Sequence, residues 1–333
     1  MSNKNVQVTL ANRPTGWVQE SDFKIVETDI PKLAAGQVLV KNLYLSLDPY
    51  MRGRMNAGPS YAANVAIGDV MVGRTVGEVV ESSNSNFTAG DTVAAYLGWQ
   101  QYALSGGADL QKVDAKAVPL TAYLGAVGMP GLTAWWGLLD IGAPKAGETV
   151  VVSAAAGAVG SIVGQIAKLK GCRAVGIAGG KAKCDLVVSE FGFDACVDYK
   201  GGNLAKDLRA AAPKGIDIYF ENVGGIVLET VVMQLNPFAR IPFCGLISQY
   251  NEPRPHGLDN FVMLLMNRVK LQGFIISDYA PRSAPAIAEL AGWVREGKIK
   301  YRETIANGLE DAPRAFIGML KGENIGKQLV KLF

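Results

Sequence analysis

The fold is decided by the stretch Thr149-Val-Val-Val-Ser153, which is followed directly by Ala154-Ala-Ala-Gly-Ala-Val-Gly160. A short apolar run of this kind is typical of a strand that is buried on both faces of a parallel sheet. Residues 161–170 carry apolar side chains at helical spacing, and Gly171 stands where a helix commonly ends. The stretch therefore predicts a strand, a glycine-rich turn and a helix in direct succession.

The same alternation continues along the chain after this unit. Further strands are predicted at 173–178, 195–199, 215–220 and 239–244, and a second helix is predicted at 184–191. Strands that alternate with helices predict an α/β fold with a doubly wound parallel sheet and right-handed crossovers.

The first third of the chain has a different character. Residues 36–45, 70–80 and 92–96 are rich in β-branched and aromatic side chains, and glycines recur in the second of these runs. Such runs are typical of strands that bend around a small barrel. At the other end, a helix is predicted at 311–321 and a final strand at 328–333. We therefore expect an all-β region before the α/β region.

Composition limits the function classes. A chain of 333 residues with 49% apolar and 19% charged residues predicts a globular protein of two domains, which we expect to pack with a cleft between them. The 33 basic and 30 acidic residues give a net charge of +3, which is too balanced to favour nucleic acid or an anionic membrane as a partner. The single histidine, His256, argues against a histidine metal site and is interpreted as a loop residue.

Cysteines and apolar runs indicate the compartment. The four cysteines form no C-x-x-C pair and are interpreted as reduced thiols: Cys172, Cys184, Cys196 and Cys244. No apolar leader opens the chain. The uncharged run 117–139 contains six glycines and prolines, so it predicts a buried helix and loop beside an apolar pocket rather than a membrane span. These observations predict a cytoplasmic protein.

The glycine-rich turn resembles the dinucleotide fingerprint G-x-G-x-x-G. Its three glycine positions are occupied by Ala155, Gly157 and Gly160. Gly157 would let the backbone approach a pyrophosphate, and the N-terminus of the following helix would face its negative charge. The strand before and the helix after supply the required context, so we predict nucleotide binding. The alternative is a tight turn in a sheet that binds no nucleotide.

The end of the second strand distinguishes the two nicotinamide cofactors. NAD sites place an acidic residue on the ribose there, but residues 177–184 contain none. Gly179 and Gly180 leave room, while Lys181 and Lys183 supply positive charge. Two charge-assisted bonds to a 2′-phosphate would favour NADPH by about a hundredfold or more. The alternative is a solvated lysine pair at the start of a helix.

Several motifs together are similar to those of the zinc-independent medium-chain dehydrogenase/reductases, in the branch of the NADPH-dependent alkenal/one oxidoreductases and prostaglandin reductases. The motifs are the glycine turn, Tyr44-Leu-Ser-Leu-Asp-Pro-Tyr-Met-Arg-Gly-Arg-Met55, Gly128-Met-Pro-Gly-Leu-Thr-Ala134, Glu221-Asn-Val-Gly-Gly225, Cys244-Gly-Leu-Ile-Ser-Gln-Tyr250 and Leu271-Gln-Gly-Phe-Ile-Ile276. The resemblance implies a GroES-like β-barrel domain over residues 1–119, to which 301–333 return, and a Rossmann domain over 120–300. It also implies a homodimer.

The resemblance also bears on metal binding. Zinc-dependent members carry a Gly-His-Glu motif, whereas the matching stretch here is Gly73-Arg-Thr-Val-Gly77, with Arg74 in place of the histidine. The group of four cysteines that binds structural zinc is missing as well. No metal is therefore expected.

The resemblance implies a set of NADPH contacts. Lys183 and Tyr199 match the 2′-phosphate contacts, which favours Lys183 over Lys181, and Asn222 matches an asparagine near the ribose. The other implied cofactor-binding residues are Gly157, Ala158, Val159, Gly160 and Ser161 at the pyrophosphate, then Cys244, Gly245, Ile247, Ser248 and Tyr250, then Phe274, Ile275 and Ile276, and finally Asn324 near the C-terminus.

The implied reaction is reduction of the conjugated C=C bond of α,β-unsaturated ketones and aldehydes, either curcumin-like or alkenal substrates. Hydride would reach the β-carbon, and a hydrogen-bond donor would stabilise the enolate. Tyr250 and Tyr50 are the candidate catalytic donors. Each has an alternative interpretation: the Tyr250 hydroxyl would cap its own loop, and Tyr50 would be a packing aromatic.

Two other functions stay open on the sequence. A quinone reductase would share the cofactor turn but would not be expected to carry the Asp48-Pro-Tyr-Met51 motif. A non-catalytic NADPH-binding protein would keep the turn without needing either tyrosine. Trp135 and Trp136 fit the wall of a pocket for bulky enones, although tryptophans are more often plain core.

Overall fold

A computed structural model describes residues 4–333. The chain divides into two compact units: one contains the residues up to Gly125 and those from Glu303 onward, and the other spans Ala126–Arg302.

The strands, in chain order, are β1 (Lys4–Leu10), β2 (Phe23–Asp29), β3 (Val38–Ser46), β4 (Thr75–Ser82), β5 (Thr92–Ala95), β6 (Tyr102–Ser105), β7 (Gln111–Lys112), β8 (Thr149–Ser153), β9 (Arg173–Ala178), β10 (Ala195–Asp198), β11 (Ile216–Phe220), β12 (Leu235–Phe243), β13 (Lys270–Gly273), β14 (Glu303–Asn307) and β15 (Lys327–Lys331). The α-helices are α1 (Tyr50–Arg54), α2 (Met129–Trp136), α3 (Gly160–Leu169), α4 (Lys181–Ser189), α5 (Leu204–Ala211), α6 (Gly225–Val232), α7 (Val262–Met266), α8 (Ala284–Arg295) and α9 (Ala312–Leu320).

The unit Ala126–Arg302 is built on a parallel sheet with the strand order β10-β9-β8-β11-β12-β13. The central strand β8 is buried throughout, as its apolar run predicts. Val150 and Val152 pack into a core with α3, whereas Val151 packs into a second core with α6. Because alternate residues of a strand point to opposite faces, helices cover both sides of the sheet. The predicted doubly wound α/β fold class is confirmed.

Two predicted strand boundaries were wrong. Strand β12 begins at Leu235 rather than 239, and Phe238 within it has a left-handed backbone (φ 65°) where the register with β11 shifts. Strand β4 begins at Thr75 rather than 70. The preceding residues bond elsewhere instead: the Met71 N–H donates to the Val8 carbonyl, and the Met71 carbonyl accepts from Trp99. Irregular pairing of this kind leaves no periodic signal in the sequence.

The other unit is a largely antiparallel sheet with the strand order β14-β15-β3-β4-β5-β7, in which β6 also pairs with β3. The chain's last strand, β15, lies antiparallel to β3, with Leu329 opposite Ser46. Helix α1 begins four residues after β3 ends, so the sheet fixes the start of the segment that carries Tyr50.

The uncharged run 117–139 folds into short helical pieces. A 3₁₀ turn covers Leu120–Leu124, and the eight-residue helix α2 follows at Met129–Trp136. Across residues 4–333, helices that combine the length and the apolar character required to cross a bilayer are absent.

Candidate active site

The glycine-rich turn packs tightly against its own first residue. Ala154, directly after β8, has a left-handed backbone (φ 52°), which L-residues rarely adopt. A Cβ atom added to Gly160 would lie 2.4 Å from the Ala154 carbonyl oxygen, and one added to Gly157 would lie 3.1 Å from it. Glycine at position 160 is therefore required for α3 to begin this close to β8, and the strain at Ala154 marks a specialised turn.

The first turn of α3 determines which N–H groups can meet an anion. The Ser161 N–H donates to the Gly157 carbonyl at 3.1 Å, and those of Ile162 and Val163 donate to Val159 at 3.0 Å. The N–H groups of the preceding residues 158–160 therefore lie at the positive end of the helix, where phosphate oxygens are commonly bound.

Basic side chains cluster after β9, at the start of α4. Lys183 is partly buried, and burial together with the nearby Lys200 lowers its pKa. The side chains of Tyr199 and Lys200 both approach Gly179, since a Cβ there would meet them at 2.9 and 3.1 Å. Lys183, Tyr199 and Lys200 therefore converge, whereas Lys181 points to Asp185, with 2.6 Å between Nζ and Oδ2. Lys200 was missed from the sequence, although it adjoins Tyr199.

One acid beside this cluster, at the end of β10, is engaged by the backbone. Asp198 ends β10, and its Oδ1 accepts from the N–H of Gly180 at 2.7 Å and from that of Lys200 at 2.9 Å. Its carboxylate thereby shapes the loop instead of facing a ribose. The region after β9 is consequently basic, as a 2′-phosphate requires.

The ends of β8 and β11 are joined by a buried polar network. Asn222 donates from Nδ2 to the Ser153 carbonyl and from its backbone N–H to Ser153 Oγ, both at 2.8 Å. Ser153 Oγ in turn donates to Glu221 Oε1 at 3.0 Å, and burial raises the pKa of Glu221. Ser153 and Glu221 were missed from the sequence, because their partnership links residues 68 positions apart.

The segment 244–250 is anchored to this network through its backbone. The N–H groups of Cys244 and Gly245 donate to the Glu221 carbonyl at 2.9 and 3.2 Å, and Ile247 and Ser248 bond to the next two carbonyls. Burial and the Glu221 carboxylate raise the pKa of Cys244 to about 12, so its thiol stays protonated at neutral pH.

Tyr250 folds back over its own segment. Its hydroxyl oxygen accepts a hydrogen bond from the Leu246 N–H at 3.3 Å, and a Cβ at Gly245 would lie 2.9 Å from that oxygen. The loop-capping interaction considered for Tyr250 is therefore present. In this hydrogen bond the hydroxyl oxygen is the acceptor.

Aromatic side chains cluster after β13. Phe274 lies 6.3 Å from Phe220 and 6.2 Å from Tyr279, measured between ring centroids, and Ile275 and Ile276 follow it into a 3₁₀ turn. Trp136 contacts Tyr279 at 4.8 Å and donates to Ser283 Oγ, while Trp135 donates to Glu289. Both indole nitrogens have protein partners, which is typical of packing residues.

Tyr50 and Asn324 belong to the largely antiparallel unit. The Tyr50 hydroxyl is buried and has no hydrogen-bond partner among residues 4–333. Burial raises the pKa of Tyr50, and the nearby Asp48 carboxylate raises it further, so the phenol stays protonated. Tyr96 and Arg54, which also affect this pKa, line a cavity of about 310 Å³. Asn324 donates to the Gly326 carbonyl at 2.9 Å.

One cluster contains ligand types that metals use. Single oxygen or nitrogen atoms of Glu229, His256 and Asp259 lie within 4.8 Å of one another. Glu229, however, already accepts hydrogen bonds from the backbone N–H groups of Asp259 and Asn260, so its carboxylate holds the loop before α7. The absence of a metal stays a prediction, and His256 does lie in a loop as interpreted.

The parallel-sheet unit fits a phosphorylated dinucleotide. The glycine turn offers backbone N–H groups at the start of α3, and the region after β9 offers converging lysines and a tyrosine. The pyrophosphate and 2′-phosphate of NADPH need these two features in this order along the sheet.

Comparison with known proteins agrees with this arrangement. Residues 6–113 match the family model described as the N-terminal domain of oxidoreductase, and residues 158–292 match the model described as zinc-binding dehydrogenase. The chain is 51% identical to the NADPH-dependent curcumin reductase of Escherichia coli (strain K12), covering 99% of this chain and 97% of that protein.

Two further similar proteins align with nearly the whole chain. The NADP(+)-dependent 2-alkenal reductase of Nicotiana tabacum is 44% identical, with 98% of this chain and 97% of that protein covered. The crystal structure of CurA from Vibrio vulnificus in complex with NADPH is 50% identical and superposes with a TM-score of 0.95 over 98% of this chain and 99% of that one.

Proposed function

Because the chain belongs to the medium-chain dehydrogenase/reductase family, we propose that it is an NADPH-dependent reductase of the conjugated C=C bond of α,β-unsaturated ketones and aldehydes. One observation carries the cofactor assignment: Lys183, Tyr199 and Lys200 converge after β9, while the neighbouring Asp198 is bonded to backbone and Asp185 is paired with Lys181. The relatives' names, curcumin reductase and 2-alkenal reductase, support the substrate class.

Three groups of residues hold the cofactor in this proposal. The turn Gly157, Ala158, Val159, Gly160 and Ser161 receives the pyrophosphate, and Lys183, Tyr199 and Lys200 receive the 2′-phosphate. The ribose and nicotinamide side is lined by Asn222, Cys244, Gly245, Ile247, Ser248 and Tyr250, with Phe274, Ile275, Ile276 and Asn324 as further contacts. When bound, NADPH supplies the hydride.

The protein's own task is to stabilise the charge that moves to the carbonyl oxygen. As a C–H bond forms at the β-carbon, the C=C π electrons shift and the carbonyl oxygen becomes an enolate. Tyr250 is proposed to donate to this oxygen, because it ends the segment 244–250, which the family resemblance places beside the nicotinamide. The α-carbon then takes a proton, which gives the saturated ketone and balances the reaction.

Tyr50 is the second proposed donor. Its raised pKa keeps the phenol protonated across the physiological range, which suits a hydrogen-bond donor and not a base. A buried hydroxyl without a partner among residues 4–333 is costly, and a substrate oxygen would satisfy it.

We also propose that two copies of the chain associate through the β13 edge of the parallel sheet. Strand β13 ends the sheet, and Phe261, directly before α7, and Leu265, within α7, are 67% and 77% exposed. An unpaired strand edge beside exposed apolar side chains is a surface that proteins normally cover, here by a second copy related by a two-fold axis. Light scattering tests this: Leu265→Glu should shift a dimeric mass to a monomeric one, and an unchanged mass would refute the assignment.

We also propose a cytoplasmic location, in which the four cysteines, none of them in a disulfide among the described residues, would stay reduced.

The activity is tested by following NADPH oxidation at 340 nm with a linear enone, an alkenal, curcumin and a quinone, with NADH in parallel. Turnover of the first three with NADPH supports the proposal. Turnover of the quinone alone would indicate a quinone reductase. Tight NADPH binding without any oxidation would indicate a non-catalytic role.

A further inference from the structure

The largely antiparallel unit buries an ion pair that the proposed chemistry does not use. Lys327 is the first residue of β15, and its Nζ lies 2.9 Å from Asp48 Oδ1. The two side chains are only 4% and 5% exposed. Lysine and aspartate are almost never buried to this extent, because removing their charges from water is unfavourable. Because the pair is buried, it does not contribute to the solubility of the surface, and its presence needs another explanation.

The pair binds β15 to the residues that immediately precede Tyr50. Lys327 Nζ also donates to the Leu47 carbonyl, and Ser46 Oγ donates to the second carboxylate oxygen of Asp48. The Leu47 N–H donates to the Gln328 carbonyl at 3.1 Å. Strand β15 thus holds the backbone of Ser46 and Leu47 and the side chain of Asp48.

The position of Tyr50 follows directly from that of Asp48. The Asp48 carbonyl accepts from the Met51 N–H at 3.1 Å, and Pro49 then begins the turn in which Tyr50 is the first residue of α1. Proline fixes its own φ angle, so little freedom remains between the held carboxylate and the phenol.

We propose that Lys327 is a positioning residue for Tyr50 and acts through Asp48. It orients the Asp48 carboxylate and balances its negative charge, so that the buried phenol can donate to an enolate. This inference rests on the role assigned to Tyr50 above.

The charges around the pair support this role. Burial and then the Asp48 carboxylate raise the pKa of Tyr50, and Arg54 lowers it. Lys327 is the buried cation that is hydrogen-bonded to Asp48 itself. A second carboxyl, Glu303, pairs with Lys327 across β14 and β15 and also interacts with its charge. Burial raises the pKa of Glu303, which favours its neutral form. Asp48 is therefore the acid whose charge most needs Lys327.

The test compares Lys327→Met in the natural chain and in the Tyr50→Phe chain. Without Lys327, the negative charge of Asp48 is unbalanced and raises the pKa of the phenol further, which weakens it as a donor, so we expect kcat for a linear enone to fall about three- to tenfold. In the Tyr50→Phe chain the same change should alter kcat less than twofold. An equal fall in both chains would overturn the inference, because a merely structural role does not depend on the Tyr50 hydroxyl.

Controls separate folding from positioning. Glu303→Gln, which neutralises the other carboxyl near Lys327, should change kcat less than twofold. The NADPH dissociation constant should be unchanged in every variant. If Lys327→Met does not fold, Asp48→Asn is measured in the same two chains, and an effect on kcat that is equal with and without the Tyr50 hydroxyl would overturn the inference.

The result also distinguishes this inference from the proposed function. Absence of enone turnover by the natural chain would refute the function. An unchanged kcat in Tyr50→Phe would refute the role of Tyr50 and this inference with it. A reduced kcat in Tyr50→Phe, combined with an equal Lys327→Met effect in both chains, would refute only the role of Lys327.

Discussion

Replacing Lys183 should greatly reduce the preference of the protein for NADPH over NADH. The side chain is partly buried on the first turn of α4 and converges with Lys200 and Tyr199. A charge-assisted hydrogen bond contributes about 1.5–3 kcal/mol, equivalent to roughly 10- to 150-fold in affinity. Because solvent reaches part of Lys183 and Lys200 remains, we expect Lys183→Ala to weaken NADPH binding by about 10- to 50-fold.

The matched control is Lys181→Ala, two residues earlier on the same helix. Lys181 is exposed and paired with Asp185, so its removal should change NADPH affinity less than about twofold. Affinities are measured by titrating the protein with NADPH and with NADH under the same salt concentration. Binding of NADH, which lacks the 2′-phosphate, should be unaffected by either change. Equal weakening of both cofactors by Lys183→Ala would refute the phosphate assignment.

The pH dependence of NADPH affinity gives a second readout. Burial and Lys200 lower the pKa of Lys183 from its ordinary value of 10.5. As pH rises through this lowered pKa, Lys183 loses its charge, so NADPH affinity should fall at alkaline pH while NADH affinity stays level. In Lys183→Ala this alkaline fall should diminish. If NADPH affinity stayed constant as the pH was raised to 10.5, the ordinary pKa of lysine, the result would contradict the placement of Lys183.

Three further outcomes follow from the structure. Tyr250→Phe should lower kcat for enones about 10- to 100-fold and leave NADPH affinity nearly unchanged; an unchanged kcat would remove this hydroxyl from the mechanism. All four thiols have raised pKa values, so alkylation by an enone or by iodoacetamide at pH 7.5 should be slow in the folded protein and fast after unfolding; rapid alkylation of the folded protein would show an activated thiol. Gly160→Ala should weaken NADPH binding and destabilise the fold by about 1–3 kcal/mol, whereas Gly292→Ala, in open space on α8, should be neutral or stabilising; equal effects on melting temperature would refute the close packing at the turn.

Much of the parallel-sheet unit could be predicted because its signals are local. The apolar run of β8, the glycines after it and the helical spacing of α3 lie within about twenty residues, and β9 has the predicted boundaries. Strand β12 was harder to predict, since its first half contains Pro237 and the left-handed Phe238. Its pairing with β11 is decided by packing that no local pattern records.

The candidate site was predictable in part for the same reason. Lys183 and the turn 157–161 belong to a short βαβ segment with a known order of functions. The partnership of Ser153 with Glu221 and that of Asp48 with Lys327 depend on strands that meet only after folding, 68 and 279 residues apart in sequence. Tyr250 was identified from its motif, but the use of its hydroxyl as an acceptor became visible only from the loop geometry.

The central claim, reduction of a conjugated double bond by NADPH, is tested most directly by following the hydride itself. NADPH carrying deuterium in both positions at C4 of the nicotinamide is incubated with the protein and a linear enone, and the product is examined by NMR and mass spectrometry. A saturated ketone with one deuterium on the former β-carbon is expected. Deuterium on the carbonyl carbon, in an allylic alcohol, would contradict it.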